Sequence, residues 1–246
     1  MKKYKLTRET KVIDGVELHR IKALNSFGSV EKGDLGGWIE SEKNLSQDGD
    51  AWVSENATVR GEATVRGNAI ICGNAIICGN AKVRGKATVG GNAWVDGHAT
   101  VSNNAAVCGN AWVEGHAKVR GKAAVYGNAW VDGHATVGDN AKVYENATVF
   151  ENARVGGDGK VSGNAWICGE ATVRGKEDFI VFKNWWSSGR YFTWTRSNNK
   201  WKVGCFYGSG EELIAKAYKD SEKSGREYER VVKYVQSIME EENNNK

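Results

Sequence analysis

The sequence predicts a mainly β protein: a parallel β-helix of seven regular triangular coils, followed by a small α+β module. Three observations carry that expectation. From Ala51 to Lys176 a small residue, a variable residue and Val or Ile recur every six positions without a slip, as in Ala99-Thr100-Val101 and Ala105-Ala106-Val107. The phrase Trp94-Val95-Asp96-Gly97-His98 returns at Trp112-Val113-Glu114-Gly115-His116 and at Trp130-Val131-Asp132-Gly133-His134, 18 residues apart each time. After Lys176 the repeat stops and the composition changes. A hexad supplies one short strand and one corner, and a coil that closes after three hexads has three faces.

Residues 1–50 form a non-repetitive entry. Thr10 to Ile21 reads as a hairpin turning at Asp14-Gly15, a pair suited to the positive φ angles of a tight turn. Gly33-Asp34-Leu35-Gly36-Gly37-Trp38-Ile39 then reads as an irregular first coil that caps the open end, because an uncovered coil is a row of unpaired strand groups.

Residues 51–176 hold the seven coils. Within Ala-X-Val the first and third residues share a strand face, so Ala and Val point inward and X outward. One corner carries Asn56, Asn74, Asn92, Asn110, Asn128, Asn146 and Asn164. Stacked Asn side chains hydrogen-bond along an axis and tolerate the left-handed backbone of a sharp corner, as do the glycines before them.

The three outward columns differ. One runs Thr64, Lys82, Thr100, Lys118, Thr136, Arg154, Thr172, and its neighbouring corner adds Arg66, Arg84, Arg120 and Arg174, which makes a basic side. A second runs Thr58, Ile76, Trp94, Trp112, Trp130, Thr148, Trp166. The third, Trp52, Ile70, Thr88, Ala106, Ala124, Lys142, Lys160, is small at its middle. Exposed apolar columns mark interfaces or ligand platforms. The tryptophan and small-residue faces are therefore expected to meet between protomers of a homotrimer.

Beside the tryptophans, one corner stacks Asp96, Glu114 and Asp132, then His98, His116 and His134. Like charges at strand spacing repel, which calls for a compensating cation, proton or partner. If the acids touch the imidazoles, imidazolium is favoured. A column does not converge on one point as a zinc site must, so neither a metal nor another cofactor is expected.

Past Lys176, residues 179–182, 191–194 and 201–206 read as three strands of an antiparallel meander. Ser209-Gly210-Glu211-Glu212 and Ser224-Gly225-Arg226-Glu227 read as capping boxes of two helices, with Tyr228, Val231, Val232, Val235, Ile238 and Met239 along one face. Glu240 to Lys246 is expected to fray, and Trp185-Trp186 to form a contact surface. Residues 177–246 are thus expected to form a separate domain, and a chain ended at Lys176 to keep its coils folded.

Bulk composition narrows the partners. No run of 18 apolar residues argues against a membrane, and Met1 to Thr10 lacks the apolar stretch of a secretory leader. Five cysteines without paired spacing point to a reducing, cytoplasmic setting. A net charge of +4 over 246 residues gives no reason to expect nucleic acid. No proline interrupts strands that all need their N–H groups.

Units of the form Val-x-Gly-Asn-Ala-x resemble the hexapeptide repeats of left-handed β-helices, which implies a left-handed coil. The segments Leu18-His19-Arg20-Ile21, Gly33 to Ser41 and Gly204-Cys205-Phe206-Tyr207-Gly208 resemble uncharacterised β-helix proteins of bacteriophages and prophages. That resemblance implies a phage-encoded, non-catalytic binding protein in the bacterial host cytoplasm. It would capture a host protein or a small anionic or nucleotide ligand in a counter-defence role. The hexapeptide superfamily also contains acyltransferases with a His base near a protomer boundary, which would fall to His116 with Glu114. This chain lacks the interrupting loop those enzymes use. A structural or scaffold role is the remaining alternative.

Overall fold

A computed structural model describes residues 2–244. Strands β1 (Tyr4–Ile13) and β2 (Val16–Ala23) form the expected hairpin, and Asp14 and Gly15 turn it at φ 51° and 78°. Strand β3 (Leu35–Ile39) pairs antiparallel with β2 on one edge and parallel with the coils on the other. The hairpin is thereby spliced onto one face of the solenoid.

Strands β4–β24, from Trp52–Val53 to Thr172–Val173, each contain two residues. They stack in strictly parallel register into three sheets, Trp94 over Trp112 on one, Thr100 over Lys118 on the second, Ala106 over Ala124 on the third. Every Ala and Val that the repeat aims inward at these three levels is fully buried, so the core is a continuous Ala–Val column. Small Ala beside branched Val lets three strands close round a narrow axis at interior packing density. With the irregular first turn through β3, Leu45 and β4, the solenoid makes about eight turns.

The corners correct one detail of the sequence reading. The left-handed residue is the middle one of each corner, not the ladder asparagine. Gly97 holds φ 63°, and a Cβ there would stand 2.9 Å from the Gly115 carbonyl oxygen in the next coil. Where glycine is absent the same position holds Glu55, Asn103, Asp139, Glu145 or Glu151, with φ between 56° and 63°. Four of these are acids, and each reaches one coil along the axis to accept the backbone N–H of Gly73, Gly157, Gly163 or Gly169. Those new hydrogen bonds offset the strain of a side chain in left-handed backbone. The Asn ladder itself forms side-chain hydrogen bonds from Asn56 through Asn146 at 3.0–3.4 Å.

Hydrogen-bond direction makes the two ends of the solenoid unlike. At each coil, residues such as Trp94 and Asp96 donate N–H to carbonyls of the following coil, here Ala111 and Val113. The first coil is left with carbonyl oxygens and the last with N–H groups. At the start, Lys3 Nζ donates to Gly49 and Ala51, and the Tyr4 hydroxyl donates to Leu45. At the end, the Thr193 and Ser197 hydroxyls accept from Trp166 and Thr172, and the Asp178 carboxylate accepts from Arg174.

The C-terminal module is a four-stranded antiparallel meander and two helices. Its strands are β25 (Phe179–Lys183), β26 (Tyr191–Thr195), β27 (Lys200–Val203) and β28 (Phe206–Gly208). The expected third strand splits in two because the chain turns at Gly204, φ 54°. Period-two alternation lets β25 serve two cores: Phe179 and Val181 pack on the solenoid, Ile180 and Phe182 on a cluster with Trp194, Trp201, Tyr228 and Val232.

Helix α1 (Gly210–Asp220) starts with the expected capping box, Ser209 with Glu212. Helix α2 (Glu222–Asn244) starts three residues earlier than the second box predicted; Ser221, not Ser224, accepts the capping N–H. The expected fraying from Glu240 is not seen as far as Asn244, and Glu242 pairs with Arg196; positions 245 and 246 lie outside the described residues. The Trp185-Trp186 pair divides: Trp185 is exposed, whereas Trp186 is buried against Phe192 and Tyr228.

Candidate functional site

The candidate Trp, acid, His and Arg columns fall on two faces and the corners beside them. On the tryptophan face Trp112, Trp130 and Trp166 are 47, 44 and 41% exposed, which makes them a surface column and not core. Trp94 is half-buried and tilts against Trp112 with ring centres 5.4 Å apart. Its indole N–H points at Cys78 Sγ, 3.2 Å away. Trp166 belongs partly to the junction with the C-terminal module, since Lys202 Nζ lies 5.6 Å from its ring.

The acids and the imidazoles, adjacent in sequence, separate in space. Asp96 and Asp132 each accept the N–H of the glycine that follows, Gly97 or Gly133. Glu114 accepts the Trp130 indole N–H at 2.8 Å. Burial first, and then the negative charge of Asp132, raises the Glu114 carboxyl above the usual carboxylate range. His98, His116 and His134 instead stack on one another, ring centres 4.8 Å apart and planes within 3° of parallel. Among the described residues no ion pair or hydrogen bond joins the two columns.

The imidazoles line a groove of about 690 Å³ on the basic face, opposite Lys118, Arg120 and Arg154. A smaller adjoining pocket of about 220 Å³ reaches Arg174. Arg66 and Arg84 stand in the same corner column, earlier along the axis, with Ser102 interrupting the series before Arg120. Sequence reasoning had found these cations and the His column, but not that they share one concavity. That follows from the corner geometry, which turns its first residue toward one face and its third toward the next.

Two features lie outside the columns that the repeat displays. The carboxylates of Asp139, Glu145 and Glu151 serve the corners, and the visible sign is an acid where the repeat has Gly. A further pocket of about 450 Å³ opens between the meander and α2, beside Trp201, Arg196 and Val232; only the tertiary packing creates it.

The five cysteines are free thiols. Burial raises the thiols of Cys78 and Cys168 to about 11 and about 12, which keeps them in the unreactive protonated form. Among the described residues no cluster of His, Cys, Asp and Glu has the geometry to hold a metal ion, and no helix is long and apolar enough to cross a membrane. Fold and site define a parallel β-solenoid with an aromatic face and a basic, His-lined groove. No protein-family model matches the chain, and no curated protein matches it either.

Proposed function

We propose that the chain is a non-catalytic binding solenoid that assembles as a homotrimer and holds a small anionic ligand on its outward basic face. The exposed tryptophan column carries this reading. One hexad before Trp94, Trp112 and Trp130, at the same level of the coil, stand Thr88, Ala106 and Ala124. A threefold assembly that keeps coils level thus sets each indole against a small residue of the neighbour. Charge agrees: among the described residues no ion pair engages Asp96, Glu114 or Asp132 beside the tryptophan face, and the exposed Lys86 and Lys122 border the small-residue face.

The acyltransferase alternative lacks its pair. Glu114 is engaged by Trp130, and His116 is held between His98 and His134. The resemblance to left-handed, phage-type hexapeptide β-helices supports a setting in the infected bacterial cytoplasm and a counter-defence role, capture of a host factor or nucleotide signal.

Light scattering on the purified protein tests the assembly. The natural chain is expected at three times its 26.9 kDa mass, and the triple variant Trp94→Lys, Trp112→Lys, Trp130→Lys as a monomer or as insoluble protein. An unchanged trimer in the variant would overturn the interface, and acyl transfer abolished by His116→Asn would overturn the non-catalytic reading.

A further inference from the structure

The first corner position beside the basic face runs Arg66, Arg84, Ser102, Arg120, Gly138, Gly156, Arg174. Gly138 and Gly156 do not occupy left-handed backbone, and other coils hold arginine at the same place. Their missing side chains therefore answer no conformational demand. What they leave is room for neighbouring side chains: Asp139 Oδ2 stands 3.1 Å from where a Gly156 Cβ would be. Arg120 lies over Gly138, its Nε 3.5 Å from where a Cβ would stand, and Gly138 is buried beneath it.

The result is a cup with Thr136 and Thr172 on its floor. Lys118 and Arg154 flank Thr136 along its sheet, Arg120 and Arg174 close the glycine gap, and His134 stands on the opposite wall. Among the described residues none of the four cationic side chains makes an ion pair or hydrogen bond. Two carboxylates share the rim, where Asp139 accepts from Gly157 N–H at 2.8 Å and Glu170 from the Asn152 amide at 2.7 Å, and the four cations outnumber them. Cations that follow one another along the cup stand about one Debye length apart and repel, so a polyvalent anion that spans them gains from several in turn.

We infer that this cup binds a compact chain of phosphates, the polyphosphate portion of a nucleoside triphosphate or of inorganic polyphosphate. Lys118 and Arg154 are two coils apart and Arg120 and Arg174 three, about 10 and 14 Å at strand spacing. A single phosphate meets one or two of these groups, whereas a phosphate chain laid along the axis meets them in turn. Arginine supplies forked donors for each phosphate and the threonine hydroxyls supply further ones. The cluster is local: Ser102 ends it on one side, which suits a compact ligand better than a long nucleic acid.

The inference rests on the proposal that the basic face takes an anionic ligand, and light scattering of the same samples reports the trimer independently. Titration calorimetry on the full chain would use inorganic tripolyphosphate, orthophosphate, a nucleoside triphosphate and a single-stranded oligothymidylate. Tripolyphosphate is expected to bind at least tenfold more tightly than orthophosphate, and the pair Arg120→Gln, Arg154→Gln to lose at least tenfold. Arg66→Gln, in the same column but outside the cup, is expected to bind as the natural chain does.

Circular dichroism and scattering confirm that each variant is folded and assembled. A nucleoside triphosphate binding more tightly than tripolyphosphate assigns the nucleotide source, and equal binding assigns the inorganic one. Equal loss from Arg66→Gln would reduce the effect to diffuse charge and overturn the site. So would binding of the oligonucleotide with tripolyphosphate inert, or no binding of any probe while the trimer stands.

Discussion

The two ends of the solenoid face opposite versions of one problem. At the N-terminal end the coil leaves carbonyl oxygens without a partner, and the chain supplies donors, Lys3 and Tyr4. At the C-terminal end it leaves N–H groups, and the chain supplies acceptors, Thr193, Ser197 and Asp178. A parallel stack has a direction, so a cap that suits one end cannot suit the other. The interior needs neither device, because each coil satisfies the next. The ends also differ in cost. Placing an ammonium under a cap is harder than placing a hydroxyl, and Lys3, 6% exposed, shows it: burial, only partly offset by Asp50 and Asp48, lowers its pKa to about 8.

The largest effect in this comparison is expected at Tyr4, which is fully buried and packs edge-on against Trp52. Tyr4→Ala should lower stability by about 3–5 kcal/mol through lost packing and a stranded carbonyl. Tyr4→Phe, which removes only the donor to Leu45, should cost about 1 kcal/mol. Urea denaturation measures both, and equal losses would mean that capping rather than packing dominates this end.

At the other end Thr193→Val keeps the shape and removes the acceptor for Trp166 N–H. A partly buried N–H left without a partner should cost about 1–3 kcal/mol, with Thr193→Ser close to the natural chain. If valine and serine behave alike, the hydroxyl is not a cap and the symmetry of the argument fails.

The smallest and most specific effect is one of pH. The folded pKa of Lys3, about 8, lies below the unfolded 10.5, so between these values the unfolded chain binds more protons and stability rises with pH. Unfolding free energy should increase on the order of 1–2 kcal/mol from pH 7.5 to 9.5 on this account. Lys3→Met should remove that rise. A slope unchanged in the variant would show that the ammonium is better solvated than its burial implies.

Much of this architecture is legible residue by residue. Ala and Val at fixed phase must be interior, since a two-residue strand has only one face to bury, and the 18-residue return of Trp-Val-acid-Gly-His sets the number of faces. The capping box at Ser209 is local chemistry and was readable for that reason. Its neighbour differs: the capping-box pattern sits at Ser224, but in the fold Ser221, which lacks the Glu or Gln three residues on, takes the cap where α2 turns back from α1. The split of Trp185 from Trp186 likewise depends on which side of the turn meets Tyr228.

By its periodicity alone the sequence determined the parallel stack, its three faces, its core and the columns of Trp, Asn, acid and His, since each of these needs only the repeat length and the alternation of side chains along a strand. The tertiary structure decided what the columns do at the corners. The backbone turns there by a left-handed residue, which sends Asp96, Glu114 and Asp132 to the aromatic side and His98, His116 and His134 to the cations. It also decided the glycine gap beneath Arg120 and, apart from the local pair Asp178 and Arg174, the donors and acceptors that close the two ends, because those pairings join residues far apart in the chain, and only folding brings them within hydrogen-bond reach.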